Sequence, residues 1–322
     1  MYNPLGLISP VILEGNHIIK QLCCDGYSWD EAVPDETVAR WLKWRDDIQM
    51  LSEVSVTRWY TPGGGKVNLY ELHHFSDAST IGYGQCTYLR TIDEDGMIST
   101  CLVMIKAKVT PQRPVTVPRL ELMATALSVR VGSFLQKLYI TGIVQFYWTD
   151  SQVTLGYIRN EKRRFHVFVT NRIHQIRQHI SPDQWRYVRS EDSPADLASR
   201  GLQAAQIKDH DLWWHCPEFL LTAEDIPNEA ADIEPDDDDL EVNKTSFATS
   251  SHQAERTSGL ADRLALFSSW FKTKRAVAGD LSQTHKRRLL KRVRQRRRCS
   301  NTEPVSSIAD GVPDRGRRNE DS

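Results

Sequence analysis

No stretch of the 322 residues approaches about 18 consecutive apolar positions, and the opening MYNPLGLISP has no charged segment followed by an apolar one. Neither a membrane-spanning helix nor a secretory leader is expected, and an intracellular protein, cytoplasmic or nuclear, with no membrane partner, is the simplest reading. Cysteine is scarce. Its six positions, Cys23, Cys24, Cys86, Cys101, Cys216 and Cys299, form no Cys-x-x-Cys pair, which argues against a zinc ribbon or a disulfide framework and for a reducing compartment. A charge excess is missing too: 41 Lys and Arg against 42 Asp and Glu leave a net charge of −1. That average hides segregation, because acids gather over 224–241 and bases over 286–298 and cancel in the sum.

What is present suffices for a sizeable core: 40% hydrophobic residues over a length suited to about two domains. Residues 1–60 read as short helices, including an amphipathic segment over 37–51 with Trp41 and Trp44. Thr61-Pro62-Gly63-Gly64-Gly65 is a loop by composition and marks a boundary. From Lys66 the periodicity changes to that of strands. Three β-rich runs, 67–76, 81–92 and 98–109, have short connections, the last pair joined through Asp93-Glu94-Asp95-Gly96, and predict an antiparallel meander. A helix over 117–138 follows, then a short apolar run over 143–148, read as a buried parallel strand because helices flank it. Helices over 151–159 and 167–180, a strand over 185–189 and a helix opened by Ser193-Pro194 complete the order βββαβααβα.

Past Gly201 the pattern weakens. The main domain is placed at 66–205, an aromatic connector with Trp213 and Trp214 at 206–223, an acidic disordered linker at 224–259, a basic helical segment at 260–298 and a disordered tail at 299–322. The basic run over 286–298 suits phosphates or nuclear import and equally suits a solvated tail.

Four acids stand out within this order. Asp77 falls at the end of the first strand, Glu121 in the first turn of the first long helix, Asp150 after the fourth strand and Asp196 in the first turn of the last helix. Each has an ordinary explanation, since acids suit helix N-termini and turns. Together they gain weight, because strand ends and helix starts on one sheet converge on one edge. Four converging carboxylates repel unless cations neutralise them. Two Mg²⁺ ions, or Mn²⁺ in their place, need such a set of hard oxygen ligands, one of them able to bridge.

The acids in their contexts, Phe75-Ser76-Asp77-Ala78-Ser79, Pro118-Arg119-Leu120-Glu121-Leu122, Trp148-Thr149-Asp150-Ser151 and Pro194-Ala195-Asp196-Leu197-Ala198-Ser199-Arg200-Gly201, resemble the ribonuclease H domain of LTR retrotransposon polyproteins of the BEL/Pao group. Tyr2–Pro10 and Trp29-Asp30-Glu31 resemble the thumb and connection of that polyprotein, and Leu212-Trp213-Trp214 with Pro217-Glu218-Phe219-Leu220 resembles the stretch leading toward the integrase. The resemblance runs to about residue 220. It implies an α/β RNase H-like fold, a mixed five-stranded sheet with helices on both faces, flanked by a small helical N-terminal segment and a largely disordered C-terminal tail. It also implies Mg²⁺-dependent cleavage of the RNA strand of an RNA–DNA hybrid. Asp77, Glu121, Asp150 and Asp196 are then the catalytic metal ligands, with Asp77 bridging, and the rest of a reverse transcriptase is an expected partner.

Some positions depart from the family pattern. The loop before the last helix, Arg189-Ser190-Glu191-Asp192, has no His where many relatives carry one. Ser193 stands in place of Asn and is expected to cap the last helix, as Ser151 is expected to cap its own. Asn3 replaces an acid in the first motif, and His166, His174 and His179 sit among arginines, where a solvated or hybrid-facing role is expected rather than metal ligation. No Tyr-x-Asp-Asp polymerase motif, integrase domain or zinc module is present. Two other readings stay open. An aspartic peptidase, a label given to this region of some Pao elements, needs two Asp-Thr/Ser-Gly loops sharing a proton, and neither Asp77-Ala78-Ser79 nor Asp150-Ser151-Gln152 has the glycine. An inactive nucleic-acid-binding remnant is disfavoured by the retention of all four acids.

Overall fold

The computed structural model describes residues 3–56, 66–138, 142–222 and 239–243. The chain divides into two compact units, Met1–Phe247 and Ala248–Ser322, and every described residue belongs to the first. The loop proposed as a boundary at 61–65, most of the acidic linker, the basic segment and the tail lie outside the described residues.

Strands β1 (Val67–Ala78), β2 (Gly82–Asp93) and β3 (Ile98–Val109) form the expected meander. β4 (Val144–Thr149) and β5 (Trp185–Tyr187) follow, and the sheet order is β3-β2-β1-β4-β5. β1 pairs antiparallel with β2 and parallel with β4, and β4 pairs parallel with β5. Central β1 therefore has the meander on one side and the crossover strands on the other. The turn between β2 and β3 is held by Asp93, whose carboxylate accepts the N–H groups of Asp95 and Met97 at 3.0 and 2.8 Å.

Side chains alternate across β1, so the two sheet faces bury different partners. Phe75 joins Cys86, Tyr88 and Trp148 on one face, under α1 (Ser9–Asp25) and three short helices late in the chain. These late helices are α6 (Ala195–Arg200), α7 (Ala204–Ile207) and α8 (Asp211–His215). Leu72 and Leu89 lie on the other face, under α3 (Val117–Leu138), which with α4 (Gln152–Arg159) and α5 (Val167–Arg177) closes that side. The second helix, α2 (Asp35–Asp47), crosses α1, and its Trp44 Nε1 donates to the Val11 carbonyl at 2.8 Å.

Aromatic residues of the connector belong to the core. Trp213 is fully buried, donates to the Leu7 carbonyl, and its own carbonyl accepts the Tyr88 hydroxyl at 2.7 Å. Beyond it, Arg90 fixes the chain by donating to the carbonyls of Leu220 and Thr222, each at 2.8 Å, while its Nη1 meets Glu71 Oε2 at 2.6 Å. His73 Nε2 shares that carboxylate at 3.4 Å, and Trp148 Nε1 donates to His73 Nδ1.

Two expectations are corrected here. Ser193 does not cap α6: that helix starts at Ala195, its N-cap position is Pro194, and the buried Ser193 hydroxyl has no partner. Within the stretch expected to be a disordered linker, residues 239–243 dock on the domain. Glu241 takes the Arg119 guanidinium at 2.6 and 3.0 Å, Asp239 accepts the Tyr157 hydroxyl, and Val242 bridges Phe165. An acidic composition does not prevent docking where specific cations and donors await it. Ser151 does cap α4, accepting the Thr154 N–H at 3.2 Å.

Arg90→Ala leaves Glu71 buried without its cation and two carbonyls without a donor. It is expected to lower stability by about 3–5 kcal/mol, read as a fall in the urea midpoint.

Candidate active site

The parallel register of β1 and β4 builds the first half of the site. Ser76 pairs with Thr149, so Asp77 and Asp150 are the next residues along two neighbouring strands. Parallel strands lie roughly 4.8 Å apart, which brings the two carboxylates together without any loop to place them. Asp77 lies inside β1, one residue before its end, and is buried. Asp150 follows β4 directly, and the capped start of α4 turns the chain away behind it.

The third acid comes from α3. Glu121 is the fifth residue of that helix, in its second turn rather than its first, so complementing the helix dipole does not account for it. Carboxylate oxygens of Asp77, Glu121 and Asp150 lie within 4.8 Å of one another. Asp196, the second residue of α6, is not in that group. Its Oδ1 accepts from Arg200 Nε one turn later, yet its charge still bears on Asp77 and Glu121.

Burial and the neighbouring carboxylates raise the proton affinity of Asp77 and Glu121. Desolvation, with the charges of Asp150 and Asp196, pushes the Asp77 carboxyl up to about 6, against the hydroxyl of Ser199, which favours its charged form. Desolvation again, with Asp77 and Asp150 opposite, pushes Glu121 up to about 9, although the Ala78 N–H favours its carboxylate. Of the two, Glu121 keeps its proton to the higher pH.

Two serines without a sequence-level role touch the acids. Ser199 donates its buried hydroxyl to Asp77 Oδ2, and exposed Ser190 donates to Asp150 Oδ2 at 2.5 Å. Ser190 belongs to the loop in which the family resemblance implies a His. A serine one helical turn after an acid was the available signal for Ser199.

Two carboxylate oxygens remain buried and unpartnered, Glu121 Oε2 and Asp150 Oδ1. Orphaned buried acceptors of this kind demand a donor or a cation. An all-oxygen set suits Mg²⁺ or Mn²⁺ rather than a soft metal. His74 lies on the opposite side of β1 from Asp77, bonded through its two ring nitrogens to Thr87 and Gln145.

A meander followed by parallel strands in the order β3-β2-β1-β4-β5, with acids at the tips of β1 and β4, defines an RNase H-like domain. Residues 1–151 match the family described as Pao retrotransposon-like RNaseH-like domain. Asp77, Glu121 and Asp150 fall inside the matched region, and Asp196 beyond it. No curated protein sequence matches the chain. Solved structures similar to it include the N-terminal RNase H domain of a Mycobacterium tuberculosis protein (11% identity, TM-score 0.28, 40% of this chain and 91% of that one). RNase H1 of Halobacterium salinarum is similar at 11% identity (TM-score 0.25, 41% and 94%). The foamy viral protease-reverse transcriptase, solved with double-stranded DNA, is similar at 9% identity (TM-score 0.25, 59% and 35%). The fold class rests on strand order and connectivity. Among the described residues no helix is long and apolar enough to cross a membrane.

Because Asp77 and Glu121 bind protons more tightly in the folded chain, their contribution to metal-free stability is fully present at or below the ordinary carboxylate range. It is lost as the pH rises to about 6 for Asp77 and on to about 9 for Glu121. In chelator, the melting temperature should be lower at pH 8 than at pH 5, and Glu121→Gln should flatten that decline.

Proposed function

We propose that this chain is a divalent-metal-dependent ribonuclease H of a retrotransposon polyprotein, hydrolysing the RNA strand of RNA–DNA hybrids during reverse transcription. The observation that carries this reading is the meeting of three carboxylates within 4.8 Å at one sheet edge, two of their oxygens buried and unpartnered.

Asp77, Glu121 and Asp150 would hold the cations, two Mg²⁺ or Mn²⁺ ions, with Asp196 adding a further carboxylate from α6. Cations held by these carboxylates would neutralise the clustered charge and supply Lewis-acid activation of water and of the leaving oxygen. The protein's own part is placement. β1 and β4 hold Asp77 and Asp150 in register, and α3 brings Glu121 across from the other face of the sheet. Burial and the charges of Asp77 and Asp150 favour the protonated Glu121 carboxyl near neutral pH, and binding a cation there would release that proton. Arg200 holds Asp196 beside the cluster and limits its freedom.

A hybrid is distinguished from duplex DNA by 2′-hydroxyl contacts across a minor groove, which requires no base reading. Little sequence preference is expected, with products bearing a 3′-hydroxyl and a 5′-phosphate. The rest of a reverse transcriptase is the partner that the family resemblance implies.

The test is cleavage of an end-labelled RNA–DNA hybrid by the purified chain in Mg²⁺. Activity should vanish on chelation and return with Mg²⁺ or Mn²⁺, and Asp150→Asn should reduce it by at least about 10²-fold, as expected for removing a group that stabilises transition-state charge. Hybrid binding without cleavage would establish the inactive remnant. Cleavage of a peptide blocked by a pepstatin-type inhibitor would establish the peptidase.

A further inference from the structure

We infer that Ser199 is a positioning residue of this site: its buried hydroxyl holds one oxygen of Asp77 and so aims the other at the cation. The inference rests on the metal-site reading above and deepens it.

Ser199 is fully buried on α6, one turn after Asp196, and donates to Asp77 Oδ2. A helical serine ordinarily satisfies its hydroxyl on its own helix, and that option is open here, with the Asp196 carbonyl 3.0 Å away. A hydroxyl has one proton. Given to Asp77, it supplies a carboxylate that has few other donors, whereas given to Asp196 it would leave Asp77 Oδ2 buried and unmet. Ser190 makes a similar contact with Asp150, but it is exposed and water can take its place. Burial singles out Ser199.

The backbone around Ser199 is fixed on several sides, as a positioning role requires. Its carbonyl accepts the Ser79 hydroxyl at 2.7 Å, and that same Ser79 oxygen accepts the N–H groups of Ile81 and Gly82 in the turn after β1. The neighbouring Ala198 lies so close to β2 that a Cβ at Gly84 would stand 3.0 Å from its methyl. After the helix, Gly201 turns the chain at φ 88°, a conformation that favours glycine, and its N–H closes on Leu197. Strand β1, its turn and α6 are therefore tied together, and the Asp77 carboxylate is held from that unit. Groups that orient a metal ligand in this way contribute about 10–100-fold to metal affinity.

The test compares the full chain with Ser199→Ala, Ser199→Thr and Asp77→Asn, each checked for folding by circular dichroism. Mn²⁺ binding to the substrate-free protein is followed by electron paramagnetic resonance of the free ion, and hybrid cleavage is followed alongside. Ser199→Ala should weaken Mn²⁺ binding roughly tenfold. Its cleavage defect should shrink as Mg²⁺ is raised, with KM for the hybrid unchanged, and Ser199→Thr should restore most of the affinity. If Ser199→Ala does not fold, Ser199→Cys, which keeps the volume but donates poorly, should show the same weakening. A folded Ala or Cys variant that binds Mn²⁺ like the parent, while Asp77→Asn has lost it, overturns the inference and leaves the metal site intact. Parental Mn²⁺ affinity in Asp77→Asn overturns the site reading and this inference with it.

Discussion

Three carboxylates with oxygens within 4.8 Å of one another repel, and burial of two of them sharpens the repulsion by removing the water that would screen it. A chain free to relax would separate them. It cannot, because each is carried by an element whose place is fixed for other reasons: Asp77 by the central strand, Asp150 by its parallel neighbour, Glu121 by a helix that closes one sheet face. The hydrophobic burial on both faces, with Phe75, Trp148 and Leu72 fully enclosed, opposes the electrostatic strain at the tips. What remains is relieved locally, by a retained proton on Glu121 and by serine hydroxyls on Asp77 and Asp150. A cation held among them would relieve it more completely.

Much of this was legible in the sequence, for physical reasons that differ by element. The three meander strands announce themselves through β-rich runs separated by turn residues, and the span 117–138 carries apolar residues at helical spacing, so the expected βββαβααβα order matches the strands and helices observed. Asp77 and Asp150 were visible as acids where apolar strands end. Their approach to each other follows from strand register, which no local pattern encodes. Asp196 was visible as well, but its ion pair with Arg200 and its place outside the tight group of three depend on how α6 is seated.

Other features were illegible because local chemistry pointed elsewhere. Ser193 followed by Pro194 and Asp196 reads as a helix start, yet the helix opens at Ala195 and that serine makes no cap. Ser199 reads as an ordinary helical serine, since its tie to Asp77 spans 122 residues of sequence. The acidic run ending at Glu241 reads as solvated chain. Its five described residues dock because Arg119, Tyr157 and the His166 N–H, all distant in sequence, supply cation and donors. In each case the deciding partner lay far along the chain.

Composition placed a boundary near residue 61, where prolines and glycines interrupt the pattern, but packing does not respect it. Val11 of α1 and Trp213 of α8 lie in the same cluster as Phe75 and Trp148. The Asp47 carboxylate at the end of α2 accepts the N–H groups of Ala204 and Ala205 at 2.5 and 3.3 Å, and the Pro10 carbonyl accepts the N–H of Leu202. Those contacts seat the chain leaving α6, and α6 carries both Asp196 and Ser199. The N-terminal helices therefore reach the acids through one short helix, and the geometry at the tip of β1 depends on residues that a boundary drawn from composition would assign to another domain.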